Sequence, residues 1–108
     1  VKYLYEQCYA EAEVKDRYGW TPLHFASEKG QVEVVKYLFE QCQVNVEVKD
    51  RYGETPLHKA SMFGHIEVVK CLFERCHASV ETKDNNGRNP LDVASFYNGT
   101  REYLKSLA

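Results

Sequence analysis

The stretch DRYGWTPLH at 16–24 returns as DRYGETPLH at 50–58 and, weakened, as DNNGRNPLD at 84–92. The offset is constant, since 50 − 16 = 34 and 84 − 50 = 34. Residues 16–49 and 50–83 are identical at 22 of 34 positions, so the segment is a duplicated unit. Tandem copies of this length fold as a stack of supersecondary units, because no single copy can bury its own apolar face. The chain is therefore a surface-presenting scaffold before any site is considered.

Each copy opens with Asp-x-x-Gly: Asp16 to Gly19, Asp50 to Gly53, Asp84 to Gly87. Asp and Gly at this spacing make a tight turn, with Gly free to take positive φ. Thr-Pro-Leu-His follows at 21–24 and 55–58. Thr is a good N-cap and Pro suits the first helical position, so short helices start at Pro22 and Pro56. Gly30 and Gly64 end them. A second helix follows in QVEVVKYLFEQC, where Val34, Val35, Leu38 and Phe39 form one apolar stripe at helical period. Val68, Val69, Leu72 and Phe73 copy it. The connector CQVNVEVK is too short and irregular for a third helix.

This unit resembles the ankyrin repeat. The resemblance rests on TPLHFA at 21–26, TPLHKA at 55–60, and the runs from Gly30 through Glu33-Val34-Val35-Lys36 and from Gly64 through Glu67-Val68-Val69-Lys70. It implies an all-α solenoid of stacked helix-turn-helix units with short β-hairpin or loop extensions. It also implies that partners bind the hairpin tips and the concave face beside the first helices. His24 and His58 are then structural, each imidazole bonding the Thr hydroxyl and nearby backbone. The usual period is 33, one shorter than here, and Cys42 stands where the family normally has Gly near the end of the second helix. The second helix is accordingly expected to run further or to end in a wider turn.

The expected organisation is one domain, 1–108: a partial repeat at 1–15, repeats at 16–49 and 50–83, and a C-terminal capping repeat at 84–108. Residues 1–8 align with 35–42, so the chain starts inside a unit and is expected to be part of something longer. The N-terminal face should then lack its cover, which predicts end-to-end self-association. At the other end Asp92 replaces His, Asn98 replaces Gly, and Arg101, Glu102 and Lys105 enter the last helix, as a polar outer cap requires.

Fourteen basic and sixteen acidic residues leave a net charge of −2, so nothing electrostatic points to nucleic acid or an anionic membrane. No apolar run approaches the ~20 residues that span a bilayer. Cys8, Cys42 and Cys76 are in register, and neighbouring helices pack roughly 8–10 Å apart. A disulfide needs Cα atoms within about 7 Å. These cysteines are expected to stay unpaired, in a reducing, intracellular setting. Lys2, Lys36 and Lys70 recur with Lys15, Lys49 and Lys83, and Glu13, Glu47 and Glu81 recur as regularly with Glu6, Glu40 and Glu74, which predicts ladders of weak ion pairs. No nucleophile recurs with the histidines, and no phosphate loop, metal-ligand spacing or dinucleotide fingerprint is present. No enzymatic activity, metal or cofactor is expected.

Substitutions between the two full copies include Trp20/Glu54, Phe25/Lys59, Glu28/Met62 and Lys29/Phe63 on the turn tip and the exposed side of the first helix, while Pro22, Leu23, Ala26 and Gly30 are kept; the second helix and connector also vary, at Tyr37/Cys71 and Gln43/His77. Geometry is fixed and display varies. Mapped on the family's binding face, the candidate partner-binding residues are Arg17, Tyr18, Trp20, Glu28, Lys29, Arg51, Tyr52, Glu54, Met62, Phe63, Arg88, Phe96 and Tyr97. Trp, Tyr and Arg dominate interface hot spots. Trp20 and Phe63 are the expected anchors, flanked by Arg17 and Arg51. The function this implies is a non-catalytic protein–protein interaction scaffold. The alternatives are a segment of a larger enzyme, channel or effector, and a self-associating structural repeat.

Overall fold

The computed structural model describes residues 12–94 and 99–107. Among the described residues six α-helices stand in chain order: α1 Pro22–Lys29, α2 Val32–Glu40, α3 Pro56–Met62, α4 Ile66–Lys70, α5 Pro90–Val93 and α6 Thr100–Ser106. A π-helical turn, Cys71–Arg75, continues α4. The first helices α1, α3 and α5 pack side by side, as α2 does against α4 and its π-turn. Between the rows lies one core, built on Leu23, Ala26, Val35, Leu38, Leu57, Ala60, Val68, Val69 and Leu72.

The Asp-x-x-Gly turns form as the sequence predicts. In each, one carboxylate oxygen accepts two backbone N–H groups: Tyr18 and Trp20 on Asp16, Tyr52 and Glu54 on Asp50, Asn86 and Arg88 on Asp84. Successive turns are tied by backbone bonds, Arg51 N–H to Tyr18 C=O and Asn85 N–H to Tyr52 C=O, both 2.9 Å. Among the described residues no strand forms, so the extensions are linked turns rather than β-hairpins. Gly53 (φ +77°) sits where this linkage is tightest: a Cβ there would lie 2.8 Å from the Asn85 backbone nitrogen and 2.5 Å from its Oδ1.

Each first helix is capped by the box the sequence encodes. Thr21 Oγ1 accepts the His24 backbone N–H, and the Thr21 N–H donates to His24 Nδ1 at 3.1 Å. The ring's other nitrogen reaches into the next unit, where His24 Nε2 donates to the Glu54 carbonyl at 2.9 Å. His58 repeats the arrangement onto the Arg88 carbonyl at 2.8 Å. Each histidine thus caps its own helix and staples it to its neighbour. One nitrogen must accept and the other must donate, so the neutral Nε2–H tautomer fits. Burial depresses the His24 pKa below the ordinary histidine value, against an opposing pull from the Glu54 carbonyl bond. Asn89 and Asp92 keep the box at α5, but a carboxylate has no proton to donate onward.

The second helices close in a wider turn, as the 34-residue period predicts. Gly30 closes α1 with bonds spanning five and three residues, Gln31 N–H to Ala26 C=O and Gly30 N–H to Ser27 C=O. At the ends of the second helices the closing bond spans six residues, from Val44 N–H to Leu38 C=O and from Ala78 N–H to Leu72 C=O. The left-handed residue is the one after the cysteine, Gln43 at φ 51° and His77 at φ 58°. The extra residue of the period is absorbed there, as a π-type expansion in the later copy.

Two expectations are corrected. Cys42 is disulfide-bonded, with its partner outside the described residues, while Cys71 and Cys76 are free and buried. The 8–10 Å separation applies to helix axes. Residues facing one another across two helices lie closer than the axes, because each Cα stands about 2.3 Å off its own. Cysteine usage therefore gives no argument for a reducing compartment. The glutamates of the connector also act otherwise than predicted. Glu13 accepts the Asn45 N–H and Glu47 the Ser79 N–H, so they brace the next connector's backbone rather than pairing with lysine. Another of the recurring glutamates, Glu40, does form an ion pair with the neighbouring unit, to Arg75 at 3.1 Å. Among the described residues no helix is long and apolar enough to cross a membrane.

Two measurements test this account. Gly53→Ala should cost about 2 kcal/mol or more, from left-handed strain plus collision with the next turn. Gly87→Ala, at the same φ with nothing within 4 Å, should cost only about 1 kcal/mol. Equal losses in urea unfolding would remove the turn-to-turn contact from the explanation. The His24 linkage has a definite sign. Its folded pKa is lowered, so as pH falls below about 6.5 the unfolded chain takes up a proton that the folded one does not. Stability should drop from pH 7.5 to 5.5, with a shallower slope in His24→Gln; an unchanged slope in that variant contradicts the assignment.

A candidate interaction surface on the turn tips and first helices

Two features build the surface, an alternating ridge on the turn tips and a column of side chains at their bases. On the tips, the Arg17 guanidinium lies 4.8 Å from the Tyr18 ring centroid, and Arg51 lies 5.9 Å from Tyr18 and 5.6 Å from Tyr52. The order along the stack is Arg17, Tyr18, Arg51, Tyr52, all four exposed. A guanidinium resting near an aromatic face keeps its in-plane N–H fork available to solvent or a ligand.

At the base of the turns the side chains switch character from one unit to the next. Trp20 packs on Phe25 with ring centroids 4.8 Å apart. The corresponding pair in the next copy, Glu54 and Lys59, is an ion pair, and both are buried. Lys59 also lies 3.1 Å from Asp50 Oδ2 and 4.1 Å from the Trp20 ring centroid. Glu54 faces Arg88 Nη2 at 3.8 Å, and Arg88 Nη2 reaches Asp84 at 3.0 Å. Burial raises the Asp84 pKa, but N–H bonds from Arg88 and Asn86 and the Arg88 charge outweigh it, leaving the carboxyl below its ordinary range. The ammonium of Lys59 is thus held by two carboxylates and one indole face. Buried charges persist when they are paired in this manner.

The candidate residues therefore divide. Arg17, Tyr18, Lys29, Arg51, Tyr52 and Phe63 are exposed, and Trp20, Glu28 and Met62 are partly so. Arg88 is about half exposed but committed to Asp84 and Glu54. Glu54 is corrected: at 7% exposure it is an internal ion-pair partner and does not reach the display face. Lys59, placed by the sequence on the exposed side of its helix, is corrected for the same reason. Phe96 and Tyr97 lie outside the described residues. Sequence reasoning left Phe25 out of the site, although it is exposed against Trp20. A signal was available, because Trp20/Glu54 and Phe25/Lys59 change together from aromatic pair to charge pair, as touching residues do.

Among the described residues the two free thiols are not activated as nucleophiles. The free thiols of Cys71 and Cys76 share a hydrogen bond, and burial raises both, Cys76 to about 12, which keeps them protonated. Burial and the bond to Glu74 push Tyr103 up to about 12. Among the described residues no group of three or more His, Cys, Asp or Glu side chains is arranged to hold a metal ion.

Two recesses border the Trp20–Phe25 pair. One, of about 440 Å³, is open and lined by Val14, Lys15, Asp16, Trp20, Pro22 and Phe25. The other, of about 270 Å³, lies between the same two rings and Tyr18, with Asp16 and Glu28 at its edge.

Comparison with known proteins yields one family and no curated relative. A family profile described as ankyrin repeats (many copies) matches residues 1–39 and 26–73. No curated protein matches the chain. The profile spans well over half of the sequence, so the chain belongs to the ankyrin-repeat family.

Proposed function

We propose that this chain is a non-catalytic scaffold that binds a protein partner on its turn tips and on the exposed sides of α1 and α3. Ankyrin repeats generally mediate protein–protein interaction. The observation that carries the reading for this chain is a set of large aromatic side chains left exposed on a stapled frame: Tyr18, Phe25, Tyr52 and Phe63. Leaving them in water is unfavourable, and covering them is the larger part of what an interface gains. A frame fixed by buried capping boxes loses little conformational entropy on binding, so a few anchors suffice. Residues 84–108 serve in this reading as the closing repeat, where Asp92 ends the run of staples.

Phe63 is the cleaner of the two anchors, since it is 48% exposed at the end of α3. Trp20 covers Lys59 as well, so its loss affects folding and binding together. In a pull-down, Phe63→Ala should weaken capture by about 1–2 kcal/mol with the melting temperature unchanged, and a Trp20/Phe63 double substitution should abolish it. Capture unchanged in the double variant would overturn the proposed face.

One observation favours a second reading, self-association through the N-terminal face. Val14 and Val34 are 62% and 42% exposed, whereas their equivalents one unit later, Val48 and Val68, are 7% and 0%. The later pair is covered by a neighbouring unit, and a second copy of the chain can supply the same cover to the first. Sedimentation should then show concentration-dependent dimers that Val14→Glu with Val34→Glu removes; a monomer at all concentrations excludes this reading.

A further inference from the structure

We propose that the recess between Trp20, Phe25 and Tyr18 takes an arginine side chain of the partner protein, its guanidinium stacked on the rings and bonded to the carboxylates of Asp16 and Glu28. The inference rests on the interaction reading above and names the chemistry of the partner. It starts from a difference among the three turn aspartates. In each, Oδ1 accepts the turn's own backbone N–H groups, which leaves Oδ2 for another partner. In two units the chain itself supplies a cation there. Lys59 Nζ lies 3.1 Å from Asp50 Oδ2, and Arg88 holds Asp84 Oδ2 through Nε and Nη2, both at 3.0 Å. In the first unit the positions of these two cations hold Phe25 and Trp20. Asp16 forms no ion pair among the described residues. The first unit thus keeps the carboxylate and replaces both internal cations by the two rings that line the recess.

The recess, of about 270 Å³, is lined by Asp16, Tyr18, Trp20, Phe25 and Glu28: three rings and two carboxylates, with no base among them. The turn tips as a whole carry bases as well as acids, so selection falls to groups at contact distance rather than to a long-range field. Glu28 also forms no ion pair among the described residues. Its backbone carbonyl accepts the His65 Nε2–H at 2.7 Å, which fixes the end of α1 that carries it. Trp20 and Phe25 are tilted by 56°, an open wedge rather than a closed stack. The chain already places cations on these rings, Lys59 at 4.1 Å from the Trp20 centroid and Arg17 at 4.8 Å from that of Tyr18. Lys59 is neutralised by Asp50 and Glu54, so it leaves little repulsion for a second cation. Arginine suits such a site better than lysine. A guanidinium is weakly hydrated, stacks on an aromatic ring through its face and keeps its N–H donors in the plane, so it meets carboxylates while stacked. An ammonium is strongly hydrated and loses more on entering a recess walled by rings.

The test is panning of a phage-displayed random dodecamer library on the folded chain. Affinities of the enriched peptides follow from fluorescence anisotropy, and tryptophan-free ones are also titrated against the emission of Trp20, the only tryptophan of the chain. The expected peptides share an arginine and change that emission. Exchanging the arginine for citrulline, its uncharged counterpart, should weaken binding about tenfold, and exchanging it for lysine about threefold. On the protein, Phe25→Ala should weaken the same peptides about tenfold and Glu28→Gln about threefold, with far-UV circular dichroism unchanged. If Phe25→Ala fails to fold, the citrulline comparison on the unaltered chain decides. Enriched peptides that lack arginine, or leave the Trp20 emission unchanged, yet are lost on Phe63→Ala would overturn the arginine assignment and leave the scaffold reading standing. Tighter binding of the trimethyllysine form than of the arginine form would do the same. Peptides indifferent to citrulline and to the Phe25 and Phe63 substitutions would overturn both readings. No enrichment also overturns the proposal.

Discussion

The structure depends on one buried hydrogen-bonded histidine per unit. His24 and His58 each close a capping box inside their own helix and donate across to the carbonyl of the following turn. Both rings are fully buried, so each bond replaces hydration that cannot be recovered if its partner moves. That couples the angle of one helix pair to the position of the next turn. Spacing, curvature and the alignment of exposed tips then follow from a single repeated contact. At His24 the same coupling makes the frame sensitive to acid, because burial holds that imidazole in its neutral form.

Around this frame the chain varies one column of side chains without changing its geometry. In one unit the column holds Trp20 against Phe25, and in the next it holds Glu54 against Lys59. The two pairs touch through the indole face over the Lys59 ammonium. The turn and capping box are the same in both units, so the stack tolerates the exchange. The consequence is functional asymmetry: the aromatic unit remains partly open, flanked by recesses, whereas the charged unit seals itself. A surface that is repetitive in backbone becomes specific in side chains.

Much of this was legible beforehand. The period of 34, the Thr-Pro-Leu-His boxes and the apolar stripe of the second helix encode local structure, and local structure dominates a stack with mostly near-neighbour contacts. The turns at Asp16, Asp50 and Asp84 and the widened ends after Cys42 and Cys76 were readable for the same reason. The burial of Glu54 and Lys59 was not. Each is polar, each sits on a nominally outer position, and only their mutual neutralisation with Asp50 makes burial tolerable. The bridge at Cys42 was missed because a helix-axis spacing does not fix the distance between individual Cα atoms.

The sequence alone determined the unit, its helices, its caps and the fact that copies must stack, because those features arise from residues within a few positions of one another. The tertiary structure decided which outward-facing residues remain outward. That depends on the neighbour each unit receives: Val14 and Val34 are open where Val48 and Val68 are sealed, though the residues are the same. Burial is a property of pairs of units, and a repeat read singly carries no record of what lies beside it.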